Sequence, residues 1–127
     1  MKVVIDTFAW IEYLKGSARG IEVKNILESD ENEAYTSVIS IAEISSRLKR
    51  ENEDFELAYS EILKLSKVYS ISNELAKESG MLHAETRKSI KDFGMVDSII
   101  LATARKLGAK VVTGDPHFKG FKEAILI

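Results

Sequence analysis

The stretch "KVVIDTFAW", residues 2–10, opens as a β-branched apolar run and ends that run on an aspartate. "KVVI", residues 2–5, is a short β-branched strand, and Val3, Val4 and Ile5 have the character of one buried on both faces. "TFAWIEYLK" then places Phe8, Ile11 and Leu14 at helical spacing before Gly16, a helix stop. A strand that passes straight into a helix is the first half of a crossover connection, the link that parallel strands require. The same spelling returns as "KVVTGDPHF", residues 110–118, again with an acid a few positions past the valines.

Outward from these two stretches, hydrophobic period and turn signals predict a second helix over 20–28, with Ile21, Ile26 and Leu27 inward. A strand at 34–37 follows the polar "SDENE", then a helix over 38–49 with Ile41, Ile44, Ser45 and Leu48 on its inner face. Next come a helix over 55–66, a short strand at 67–70, a helix over 73–89 and a loop containing Gly94. A strongly apolar helix over 96–107 is closed by Gly108, and "KVVT" and the terminal "AILI" are the last two strands. The expected fold class is α/β: a single-domain three-layer α/β/α sandwich with a mainly parallel central sheet of four to five strands.

A chain of 127 residues fits one compact domain, 1–127, and 45% hydrophobic with 30% charged residues excludes a disordered or collagen-like chain. With no cysteine, disulfides and thiolate metal sites are excluded, so a metal is left to oxygen ligands or to His83 and His117. No apolar run approaches the roughly 20 residues that cross a bilayer, and Asp6 stands too early for the apolar part of a signal peptide. A cytoplasmic protein without a membrane partner is expected. The net charge of −2 supplies no overall attraction to a polyanion, so nucleic-acid binding must rest on local basic patches.

Parallel sheets bind ligands at the carboxyl ends of their strands, which is where Asp6 and Asp115 fall. Each has an ordinary alternative: Asp6 as the N-cap of the first helix, Asp115 as a turn former before Pro116. Asp97, in "GMVDSIILATA", sits in a helix first turn, where the macrodipole favours a carboxylate. Glu43 is the only charged residue between Tyr35 and Ser46, at the edge of an apolar helical face, or else solvent-facing. Together the four have a joint meaning. Carboxylates that converge without a cation repel one another and rise in pKa, and a hard divalent ion with oxygen preference, Mg²⁺ above all, removes that conflict. Such a cage suits phosphodiester hydrolysis.

These residues carry a family resemblance. "VVIDTFAWIEYLKG", "TSVISIAEI" and "DSIILATARKLGAKVVTGDPHF" resemble, in that order, the blocks of a PIN domain, and specifically of the small VapC-type toxin ribonucleases of toxin–antitoxin pairs, over the whole of residues 1–127. The resemblance implies that Asp6, Glu43, Asp97 and Asp115 form a catalytic, metal-binding pocket for Mg²⁺ or Mn²⁺, with Thr7 and Thr113 in supporting hydrogen bonds. It implies an endoribonuclease acting on RNA, an antitoxin protein as partner, and a homodimer. Gly114 departs from the many relatives with a basic or polar residue there, and residues 50–91 follow the family only in helical pattern.

Other positions were weighed beside these. "SRLKRE", residues 46–51, with Arg87, Lys88 and Lys91, supplies positive charge, so Arg47, Lys49, Arg50, Arg87 and Lys88 are candidate RNA contacts, against the ordinary reading of solvated helix faces. His117, two residues past Asp115, could reach the cleft, against a plain surface loop; His83 reads as structural. Trp10, Phe8 and Tyr13 read as core, with Trp10 the firmest, although the resemblance also sets their helix beside the groove that takes the antitoxin's C-terminal segment. An aspartyl phosphatase or a receiver domain needs a second acid near Asp6, and position 8 is Phe. A noncatalytic PIN-like RNA- or protein-interaction module would be expected to have lost one or more of the four acids.

Overall fold

The computed structural model describes every residue from Met1 to Ile127. Five strands, β1 (Lys2–Ile5), β2 (Glu33–Ser37), β3 (Lys67–Tyr69), β4 (Lys110–Thr113) and β5 (Ala124–Leu126), form one sheet in the order β3-β2-β1-β4-β5. All four pairings are parallel, as the strand–helix alternation requires. Six helices connect them: α1 (Thr7–Lys15), α2 (Ala18–Glu28), α3 (Val38–Arg50), α4 (Phe55–Leu65), α5 (Asn73–Thr86) and α6 (Met95–Leu107).

The alternation of strand side chains divides the core into two layers. Val3, Ile5 and Val112 point to one face and pack with Ala9, Trp10, Val23, Ile44 and Ile62 from α1 to α4. Val4 and Val111 point to the other and pack with Phe93, Ile100, Leu101, Ala104 and Phe118, so α6 and the segment after β4 close that side. Trp10 is fully buried, and its indole N–H donates to the Thr36 hydroxyl at 3.0 Å, tying α1 to β2. The helices stop where glycine permits it: Gly16 and Gly108 close α1 and α6 in the left-handed conformation, at φ 66° and 65°.

Three expectations about inner faces are corrected. Phe8 is 37% exposed, because α1 starts at Thr7 and turns Ala9, Trp10 and Ile11 onto the sheet. Ile21 is 56% exposed: Ser17 caps α2 before Ala18, and the buried pair is then Gly20 and Val23. In α3, Ser40 joins Ile44 and Leu48 in the core while Ile41 and Ser45 are half-buried, and α5 ends at Thr86, leaving residues 87–89 in a turn.

Gly20 sets the approach of α2 to α1. A Cβ there would stand 2.0 Å from the Glu12 carbonyl oxygen, a backbone atom that cannot step aside. Alanine in place of a helical glycine ordinarily stabilises by about 1 kcal/mol. Gly20→Ala is expected to do the reverse and destabilise by roughly 1–3 kcal/mol through overpacking. Urea unfolding of the two proteins gives the sign directly.

Candidate functional site

The chain leaves β1 toward β2 on one side and reaches β4 on the other, so the two central strands are neighbours whose connections diverge. That divergence opens a crevice at their carboxyl ends. Asp6 and Thr113 stand at the ends of β1 and β4, and Asp115 lies two residues beyond. Asp97 is in the first turn of α6 and Glu43 is in α3. All four acids line one cleft of about 660 Å³, together with Thr7, Phe8, Ile11, Arg47, Val96 and Ile100 among others.

Local structure aims each acid. Asp6 caps α1: its Oδ1 accepts the Ala9 N–H at 2.8 Å, while the side chain as a whole is only 7% exposed. Asp97 accepts the Gly94 N–H through Oδ2 at 2.9 Å, which fixes it across the start of α6. The Asp115 N–H donates to the Thr113 hydroxyl at 3.0 Å, and Asp115 Oδ1 accepts the His117 N–H at 2.9 Å in a short 3₁₀ turn, Pro116–Phe118. Thr7 donates its hydroxyl to Glu43 Oε1 at 2.6 Å, joining α1 to α3 over the cleft. The cap reading and the pocket reading of Asp6 therefore coexist in one side chain, one oxygen being committed to the helix.

The electrostatics are those of an acid cluster without a counter-charge. Burial pushes the Asp6 carboxyl up to about 7, and Asp115 and Asp97 add to the rise against hydrogen bonds from Thr113 and Ala9. Burial also raises Asp97, with Asp115 and Glu43 adding to it and the Gly94 N–H and His117 opposing. No lysine or arginine forms an ion pair with any of the four; the one basic side chain within ion-pair distance is His117, whose Nδ1 lies 3.1 Å from Asp115 Oδ1. Asp97, Asp115 and His117 each bring one ligand atom to within 4.8 Å of the others. A donor set of four carboxylates, one of them buried and three half-buried, with no lysine or arginine paired to them, fits a hard divalent cation.

The remaining candidates divide. Arg47 lines the cleft, but its guanidinium is shared with Glu51 at 3.5 Å. Lys49, Arg50, Arg87 and Lys88 are exposed and lie outside the cleft lining, with Lys88 paired to Glu85 at 3.0 Å. His83 is half-buried within α5. The 3₁₀ turn Pro116–Phe118 brings the His117 ring back over Asp115. Phe8, expected in the core, lines the cleft. The face that α1 lays on the sheet, Ala9, Trp10 and Ile11, decides that, and no feature of the apolar spacing reveals it.

A family model described as "PIN domain" matches residues 3–124. No curated protein matches the chain significantly. Among solved structures, a toxin–antitoxin complex from Klebsiella pneumoniae aligns with a TM-score of 0.76 at 23% identity, over 97% of this chain and 95% of that one. VapBC2 from Rickettsia felis, bound to a DNA fragment from its promoter, aligns with 0.76 at 19% identity, over 100% and 98%. The VapC20 toxin of Mycobacterium tuberculosis, described as cleaving the sarcin-ricin loop, aligns with 0.72 at 22% identity, over 95% and 97%. At these identities the structures establish a shared fold.

The raised Asp6 carboxyl has a signed consequence for stability. The group moves from an ordinary 3.8 to about 7 on folding, so between those values the folded chain holds a proton that the unfolded chain has lost. Stability of the metal-free protein therefore falls as pH rises through that window. Asp6→Asn, which keeps the helix cap, is expected to raise the Tm in EDTA at pH 8 by about 5–10 °C and to leave it nearly unchanged at pH 4. Circular dichroism melts at the two pH values measure this; a lower Tm for the variant at pH 8 contradicts it.

Proposed function

Because this chain belongs to the PIN-domain family, whose model spans residues 3–124, we propose that it is a Mg²⁺- or Mn²⁺-dependent endoribonuclease and the toxin half of a toxin–antitoxin pair. The observation that carries this reading is the meeting of four acids in one cleft, the most buried of them, Asp6, without a cationic partner. Asp6, Asp97 and Asp115 would hold the ion, with Glu43 facing them. A hard divalent cation bound there would polarise a phosphate and lower the pKa of a water, which is the chemistry of metal-assisted phosphodiester hydrolysis.

The protein's own part is positioning. The Thr113 hydroxyl accepts from the Asp115 N–H, so the end of β4 holds the last acid in place. Thr7 holds Glu43 in place, and the Gly94 N–H holds Asp97. The apolar wall of Ile11, Val96 and Ile100 limits water on one side of the acids, strengthening every charge interaction within.

The partner reading rests on the same footing. Structural neighbours come from toxin–antitoxin complexes, which supports an antitoxin protein for this chain; RNA as substrate and a homodimer as the assembly belong to the same proposal and rest on the family resemblance alone. No helix is long and apolar enough to cross a membrane. The competing reading, a noncatalytic PIN-like interaction module, is disfavoured because none of the four acids has been lost.

Purified protein is expected to cut single-stranded RNA with Mg²⁺ or Mn²⁺ and to stop in EDTA. Asp6→Asn and Asp97→Asn should each lower the cleavage rate by roughly 100-fold or more while remaining folded. Either metal should raise the wild-type Tm and leave that of Asp97→Asn almost unmoved. Folded protein that cuts no RNA, or variants that cut as well as wild type, would sink the catalytic assignment. Co-expression with the adjacent small reading frame should yield a stable complex that does not cleave.

A further inference from the structure

The cleft sets an electrostatic problem that its own lining leaves open. Four carboxylates confront an incoming polyanion, and the one arginine or lysine in the lining, Arg47, is already shared with Glu51. A nucleic-acid strand approaching such a site needs positive charge at its rim.

Arg19 has the attributes of that charge. It lies exposed in the first turn of α2, a turn that contains no acid, and its side chain forms neither an ion pair nor a hydrogen bond. A cation at the positive end of a helix dipole works against the helix, so helix stability does not account for it. What holds it is Phe8: the guanidinium carbon stands 5.6 Å from the centre of the ring. Phe8 in turn lines the acidic cleft and leans on Gly114, between Thr113 and Asp115, where a Cβ would come within 2.2 Å of the ring Cε1. The missing side chain at Gly114 admits the ring, and the guanidinium rests on a ring that lines the acidic cleft.

We propose that Arg19 is a phosphate-binding residue that receives the RNA backbone at the edge of the acidic cleft, with Phe8 as its positioning residue, an assignment that rests on the ribonuclease reading above. Arginine suits the place: its planar, weakly hydrated guanidinium stacks on an aromatic face and still presents N–H donors at its edge to phosphate oxygens.

The test is fluorescence anisotropy of a labelled short single-stranded oligoribonucleotide, in EDTA, with Asp6→Asn as the background so that no cleavage occurs. Arg19→Ala is expected to weaken binding roughly five- to tenfold and to reduce the slope of log Kd against log salt by about 0.7, the value of one phosphate contact on a single strand. Phe8→Ala should weaken binding to a similar extent. Combining the two should cost no more than Arg19→Ala alone, since both remove one device. Arg19→Lys should keep the slope and lose part of the affinity. Lys15→Ala is the control, and melts confirm that each variant is folded.

The assignment is overturned if Arg19→Ala matches the control in affinity and slope, or if it loosens only an antitoxin complex; strict additivity of the Phe8 and Arg19 losses overturns the positioning role. Wild-type protein that cleaves RNA with added metal, while Arg19→Ala shows the same KM and salt dependence, removes Arg19 alone. Absence of both binding and cleavage removes the ribonuclease reading, and Arg19 with it.

Discussion

The parallel pairing of β1 with β4 is the constraint on which the rest of the molecule depends. Val3, Val4 and Ile5 sit opposite Lys110, Val111 and Val112, and the ladder runs one bond further, from the Asp6 N–H to the Val112 carbonyl at 3.2 Å. That last bond brings the end of the first strand level with the end of the fourth, across more than a hundred residues of sequence. A slip of β1 by one residue would turn Val3 and Ile5 from one layer to the other and swing Asp6 out of the cleft. Core and site thus share one register.

The site is built at a cost that the fold carries. An aspartate at 7% exposure beside two further acids is unfavourable in the ionised state, and its carboxyl rises to about 7 for that reason. Three local bonds, from Ala9, Gly94 and Thr7, hold the acids toward one another where repulsion would separate them. Strain of this kind, kept in place by the surrounding structure, is the usual mark of a site prepared for a charge that arrives later. The Phe8–Gly114 contact adds a second preparation at the rim, on the side facing an anionic strand.

How far the sequence was legible depends on the range of the interaction. Strands β1 and β4 and helix α1 matched residue for residue, and the other elements differed by one to three residues at an end, because β-branched runs, Ser and Asp caps and Gly stops are local signals. Faces were less secure. Phe8 and Ile21 read as inward, and both turned out: α1 lays Ala9, Trp10 and Ile11 on the sheet, and Ser17 starts α2 before Gly20, leaving Gly20 and Val23 as its buried pair. His117 sits at Asp115 because of a three-residue turn, a geometry that hydrophobic period does not register.

By itself, then, the sequence determined the strand–helix alternation, the parallel α/β class and the identity of the four acids, since residue type and local spacing suffice for each. Only the tertiary structure decided that β1 and β4 are neighbours, that Asp6 serves as cap and cleft wall at once, and that Arg19 rests on Phe8. Those depend on strand order and on the close approach of distant backbones at Gly20 and Gly114, where the absence of a side chain has meaning only once it is known what lies opposite.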